Sequence, residues 1–202
     1  VHVHDDGARA ALAQRKPVRR CAVIAHGNYI GAYPNTTDRH AARQKLQIAP
    51  HAFVYLALGQ IRPYKGLDDL IAAFRALPGE HLRLVIAGHP QQPQDGERLL
   101  ELAGGDERIT VQARYVADDE VQHFMHAADV CVFPYRSGTT SGAAILALSF
   151  GRPIIAPDEW PFRGLVDQGG GVLYAPGRDG LRGALGEVAP PAPQSWGEQD
   201  AA

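Results

Sequence analysis

The 202 residues are 45% apolar, 21% charged and 7% aromatic, a balance that suits one ordinary globular domain with a buried core. Twenty basic against 22 acidic side chains leave a formal charge of -2, which excludes a global positive field of the kind that holds a nucleic-acid backbone or an acidic membrane. The 22 glycines and 15 prolines mark many turns yet fall short of a low-complexity chain. No apolar run approaches the roughly 18 residues of a membrane span, and the opening Val1-His2-Val3-His4 lacks the regions of a signal peptide. It also lacks an initiating Met, so the sequence is expected to begin partway through a longer protein. Cys21 and Cys131, far apart and each inside an apolar run, read as reduced core thiols, which favours a cytoplasmic chain.

In chain order, Cys21 to Ala25 is a candidate strand, followed by a turn at His26-Gly27-Asn28 and a helix from Asp38 to about Leu46. Phe53 to Leu58 reads as a buried strand stopped by Gly59. After Lys65-Gly66, apolar residues at Leu67, Leu70, Ile71, Phe74 and Leu77 recur at helical spacing until Pro78-Gly79 ends the pattern. Leu82 to Ala87 is a strand, Arg98 to Ala103 a helix and Ile109 to Val111 a short strand. Asp118-Asp119 supplies the N-cap of a helix through Val121, Phe124, Met125 and Ala128. Strand Val130 to Phe133, helix Ala143 to Phe150, strands Pro153 to Ala156 and Val172 to Tyr174, and a weak helix Gly180 to Val188 complete the series. Pro190, Pro191 and Pro193 then lead to a tail bearing Trp196. Alternation of continuously apolar strands with helices predicts an α/β fold, a Rossmann-like doubly wound parallel sheet covered on both faces. In such sheets, ligands bind at the C-terminal ends of the strands.

Two of the resulting loops carry phosphate chemistry. In Gly59-Gln60-Ile61-Arg62-Pro63-Tyr64-Lys65-Gly66, a glycine at the strand end permits close approach of a ligand, and Arg62 and Lys65 set two cations beside a helix N-terminus. This is neither the Walker pattern nor the three-glycine dinucleotide fingerprint. Pro134-Tyr135-Arg136-Ser137-Gly138-Thr139-Thr140-Ser141-Gly142 offers small hydroxylic residues and glycines before the next helix, able to grip the same diphosphate from another side. His123 and His126 have a metal-compatible spacing but no third ligand nearby, so no metal site is expected. Helix capping accounts for the acidic run Asp118-Asp119-Glu120, and Gly169-Gly170-Gly171 reads as a tight turn because it precedes a strand.

The ordered series His26-Gly27-Asn28-Tyr29, Leu58 to Gly66, Val85-Ile86-Ala87-Gly88, Tyr115 to Glu120, Ala128-Asp129-Val130 with Phe133-Pro134-Tyr135, and Ser149 to Ala156 resembles the C-terminal half of the group 1 glycosyltransferases of the GT-B fold. The resemblance covers roughly residues 20 to 188. It implies that residues 1-34 are the end of an N-terminal acceptor domain, 35-50 a linker helix, 51-189 a Rossmann-like domain for a nucleotide sugar, and 190-202 a Pro-rich tail. It also implies that Lys65 contacts the donor diphosphate, with Arg62 standing in for an arginine that the family usually has where this chain has Gln60. Gly59 and Gln60 then border the phosphates, and the nucleobase lies along Arg114-Tyr115-Val116, where glycine is common in place of Arg114. Thr139, Thr140, Ser141 and Gly142 hold phosphates through backbone and hydroxyl groups. Two glutamates that many members carry fall at Gly138 and Leu146, so both acids are absent.

The expected function is therefore the donor half of a glycosyltransferase that moves a sugar from a nucleotide diphosphate to a glycan or lipid-linked acceptor in cell-surface polysaccharide or glycolipid assembly. No cofactor beyond the donor substrate is expected. The location is cytoplasmic or peripheral at the inner membrane face, with little activity from the isolated chain and a possible homodimer. The alternatives are a non-catalytic nucleotide-binding domain of the same fold, for which the missing acids speak, and a sugar-nucleotide epimerase.

Overall fold

The structure is a computed structural model that describes residues 1–4, 6–15, 20–137, 141–159, 162–166 and 170–191. Its centre is a parallel sheet of six strands: β3 (Phe53–Leu58), β4 (Leu82–Ala87), β5 (Ile109–Gln112), β6 (Val130–Val132), β7 (Ile154–Pro157) and β8 (Gly171–Tyr174). Their spatial order is β5-β4-β3-β6-β7-β8. The chain winds outward from β3 to β5, then returns to place β6 against the other side of β3, Tyr55 opposite Val130. The order therefore reverses between β3 and β6, the point at which an open α/β sheet forms a crevice beyond its strand ends.

Successive side chains of a strand point to opposite faces, so a continuously apolar strand needs cover on both. Tyr55, Leu84, Ile86, Val130, Val132 and Ile155 join one core, covered by α3 (Leu67–Arg75), α4 (Pro93–Ala103) and α8 (Arg178–Val188). Val54, Leu56, Val85, Cys131 and Ile154 join the other, beneath α5 (Asp118–Ala127) and α6 (Gly142–Ser149). The Tyr55 hydroxyl crosses the first core to donate to Leu185 O at 2.6 Å. This is the doubly wound α/β sheet expected from the sequence.

The differences lie at element ends. α4 begins at Pro93, five residues before the expected Arg98, because Gln92 and Asp95 form a capping box and Pro93 fits the first helical turn. The N-cap of α5 is Ala117; Asp118 is already helical, and Glu120 reaches back to the Ala117 N–H at 3.1 Å. The expected strand at Cys21 shrinks to β2 (Ala22–Val23), parallel to β1 (His2–Val3), with α1 (Asp6–Arg15) between them. Its sequence gave no sign of α1, which buries no residue. Cys21 is half-exposed and outside both cores, whereas Cys131 is buried. α2 (Arg39–Lys45) packs on α5 and is capped by Asp38, whose carboxylate accepts from Ala41 N at 2.8 Å. A short helix, α7 (Arg163–Val166), follows β7. The expected Trp196 tail lies outside the described residues.

Candidate functional site

The loop after β3 is held by its neighbours before it reaches the crevice. Ile61 N donates to His89 O at 2.9 Å and Gln91 N to Ile61 O at 2.9 Å, which stitches this loop to the one after β4. Gly59 and Gly88 both leave their strands at positive φ, 132° and 152°. A Cβ on Gly88 would stand 2.0 Å from Gly59 O, so only glycine fits there. Pro63–Lys65 then forms a single 3-10 turn, closed by Gly66 at φ 64°. A Cβ on Gly66 would stand 2.1 Å from Pro134 O, which shows how tightly the loop after β6 is pressed against this one. Arg136 joins the two: its N–H donates to Tyr64 O at 2.8 Å, and its guanidinium pairs with Asp68 and Asp69 at 2.8 and 2.6 Å. Arg178 of α8 binds Asp69 from the other side at 2.8 Å.

Lys65 enters the crevice from this scaffold. Its Nζ lies 5.4 Å from the centroid of the Tyr135 ring and 3.1 Å from the point that a Cβ on Gly59 would occupy. Gly59, Leu67, Phe133 and Tyr135 enclose it. Among the described residues no carboxylate pairs with it. Burial, with Arg62 nearby as a lesser contribution, pushes its pKa down to about 8. Tyr135, not singled out by sequence reasoning as a site residue, is the wall of this pocket; its hydroxyl accepts from Ser141 Oγ at 3.4 Å, and burial pushes its pKa up to about 12.

The α6 end of the crevice is made by Ser141 and Gly142. Ser141 is buried and caps α6, its Oγ accepting from Ala144 N at 3.2 Å. The N–H groups of Gly142 and Ala143 have no partner among the described residues, as the first turn of a helix leaves them. The point that a Cβ on Gly59 would occupy lies 3.8 Å from Ala143 Cβ, so these donors and Lys65 border the same place. Thr139 and Thr140, expected beside them, lie outside the described residues, as does Gly138.

Not every expected residue joins this group. Arg62 lines a different cavity, with Leu67, Asp68, Arg98, Leu99 and Arg136, and its buried Nε has no partner. Gln60 is exposed at the rim. Tyr115 and Val116 follow the edge strand β5, with Tyr115 67% exposed. Arg114 beside them is tied to Glu120 by two bonds of 2.8 Å, and this pairing is the main reason the Glu120 carboxyl is pushed down to about 2. Leu146, at the second position of the absent acid pair, is half-buried against the second core. His123 and His126 point to separate partners, Lys45 at 2.9 Å and Asn35 at 2.5 Å. Among the described residues no group of three or more His, Cys, Asp or Glu could hold a metal ion.

The doubly wound parallel sheet, whose reversal point brings together Lys65 and the first turn of α6, defines an α/β domain of the Rossmann-like kind. Residues 52–187 match the family model described as "Glycosyl transferases group 1", and the chain belongs to that family. A GDP-mannose:glycolipid 4-beta-D-mannosyltransferase of Xanthomonas campestris pv. campestris is 31% identical over 134 residues, 66% of this chain and 36% of that protein. Among solved structures, the sucrose-phosphate synthase of Thermosynechococcus elongatus superimposes with a TM-score of 0.78 at 24% identity, over 93% of this chain and 48% of that one. Anabaena HepE in complex with UDP and glucose gives 0.79 at 22%, over 93% and 52%. The fold is thus one half of a GT-B architecture, and the chain spans about a third to a half of these three proteins.

Proposed function

We propose that this chain is the donor-binding half of a glycosyltransferase, and that the crevice between β3 and β6 holds the diphosphate of a nucleotide sugar whose sugar passes to a glycan or lipid-linked acceptor. The observation that carries this reading is Lys65, a half-buried cation that has no carboxylate partner among the described residues and stands beside the N–H groups of Gly142 and Ala143, likewise without a partner among them. In the transfer step the acceptor hydroxyl oxygen attacks the anomeric carbon, its proton passing to a base on the acceptor side. The bond from that carbon to the phosphate oxygen breaks, and the electron pair leaves on the nucleoside diphosphate. Lys65 and the α6 donors meet the charge that grows on the leaving group, the kind of electrostatic stabilisation that contributes most to many transfer reactions. The exposed Tyr115 ring and the backbone of Val116 offer a platform for the base. The named donor of the Xanthomonas relative puts GDP and GDP-mannose first among the candidates. Among the described residues no helix is long and apolar enough to cross a membrane.

Calorimetric titration of the chain with GDP, UDP, ADP and their sugars, repeated with Lys65→Ala, tests the site. Selective binding weakened about tenfold by the substitution, roughly 1.4 kcal/mol, is expected. Binding that Lys65→Ala leaves unchanged would remove the crevice from the donor site. A second reading, a non-catalytic nucleotide-binding domain, is favoured by Leu146, which puts an apolar side chain against the core at a position where many relatives have an acid. A full-length protein that binds the nucleotide sugar yet never releases the nucleotide, over a broad panel of acceptors, would select it.

A further inference from the structure

Arg62 is a cation that the fold leaves unpaired. Its Nε is buried without a hydrogen-bond partner, and among the described residues no carboxylate pairs with its guanidinium. The cavity it lines measures about 80 Å³ and lies between the loop after β3, the first turn of α3, and α4. On this scale about 10–15 Å³ admits one water, so there is room for a small polyatomic group. Leu67 stands between this cavity and the pocket of Lys65 and lines both.

The charges around the cavity are unequal. Arg62, Arg98 and Arg136 line it with three guanidinium groups, against the carboxylates of Asp68 and Asp95. Both carboxylates are already engaged: Asp68 pairs with Arg136 at 2.8 Å and with Arg98 at 3.4 Å, and Asp95 accepts from Gln92 N at 3.2 Å in the cap of α4. Arg62 is left as the uncompensated charge. Its open Nε belongs to the planar fork that grips two oxygens at once, and a buried donor of this kind is costly until an acceptor reaches it. A carboxylate has only the two oxygens that the fork takes, whereas a tetrahedral phosphoryl group keeps others for Arg98 at the rim. We propose that this cavity binds one phosphoryl group through Arg62 and Arg98, at a site apart from the crevice that holds Lys65. The site does not depend on what the crevice binds. Free phosphate and a phosphate-bearing lipid headgroup present the same chemistry to it.

The test titrates inorganic phosphate into the Lys65→Ala chain, which lacks the crevice cation, and into the same chain carrying Arg62→Gln, Arg62→Lys or Arg98→Gln in addition. Expected are saturable binding, a loss of about tenfold with Arg62→Gln, and a loss of about threefold with Arg98→Gln, whose exposed charge counts for less. Arg62→Lys keeps the charge without the fork and should restore only part of the affinity. In the wild-type chain the Arg62 Nε–H resonance, identified by its disappearance in Arg62→Lys, should shift as phosphate binds, and acetate should move it less. A second arm replaces phosphate by vesicles of phosphatidylcholine with and without phosphatidic acid. Sedimentation that needs both phosphatidic acid and Arg62 assigns the group to a lipid, and binding of free phosphate alone assigns it to a soluble ligand. Absence of saturable phosphate binding in Lys65→Ala, or binding that Arg62→Gln leaves unchanged, overturns the site. Should Arg62→Gln lower the melting curve, Arg98→Gln and the resonance decide in its place. Nucleoside diphosphate binding that Lys65→Ala weakens and Arg62→Gln does not would leave the crevice standing whichever way this test falls.

Discussion

Lys65 carries its charge where charge is disfavoured, and that conflict has two measurable sides. With a folded pKa of about 8, below the ordinary lysine range, the unfolded chain binds more protons between the two values. Stability therefore rises with pH above about 8, and below 8 the cost of the half-buried charge is fully present. Lys65→Met is expected to stabilise the chain at pH 7 by about 1–2 kcal/mol in chemical denaturation while weakening diphosphate binding. Wild-type affinity for the diphosphate is expected to fall as pH rises through about 8, with a flat profile there in Lys65→Met. Gly88 presents the opposite case, a residue chosen by space alone. Gly88→Ala would drive a methyl into Gly59 O at a backbone angle that suits glycine, and a loss of more than about 2 kcal/mol is expected by the same measurement. Lys65 and Gly59 were legible in the sequence because their roles follow from a short local pattern. Tyr135 was not legible as a wall beside Lys65, because the two meet only once the loops after β3 and β6 have come together.

Elements were read most securely where a strong period met clear punctuation. α3 carries four of the five apolar residues expected on one face, Leu67, Leu70, Ile71 and Phe74, all buried, and ends at Arg75, before Leu77 and Pro78-Gly79. The start of α4 was missed because its first turn, Pro93 to Glu97, is polar and gives no apolar signal; only the Gln92 and Asp95 cap marks it. The 3-10 turn at Pro63–Lys65 was hidden for a related reason, since three residues have no period. The join between α2, β3 and β6 rests on Asp129, which entered the sequence reading only as part of a family motif, with no structural role. Its carboxylate pairs with Arg39 and with the buried Arg43, the latter at 2.9 Å, and accepts from Val54 N at 2.8 Å. Arg43 is only 3% exposed, so Asp129→Ala strands a buried charge and is expected to cost about 3–5 kcal/mol. Joint replacement of Arg43 by Met and Asp129 by Leu should recover much of that loss in urea denaturation. Losses that simply add would mean that the two groups act independently.

For the molecule as a whole, the parallel sheet was legible because its strands are apolar throughout, and the crevice followed from it by topology. Of the β1–α1–β2 piece only the strand at β2 was legible, since α1 buries nothing and leaves no periodic trace. The same topology has a kinetic side. Strands β3, β4 and β5 pair with neighbours in sequence, whereas β3 meets β6 by joining Tyr55 to Val130 across the length of the intervening chain. Such distant pairings form late and slowly. The crevice lies on this seam, and a diphosphate that touches both loops clasps two halves that assemble separately. Ligand should therefore retard unfolding far more than it hastens refolding, so that the occupied domain is guarded chiefly by the slowness with which the seam comes apart.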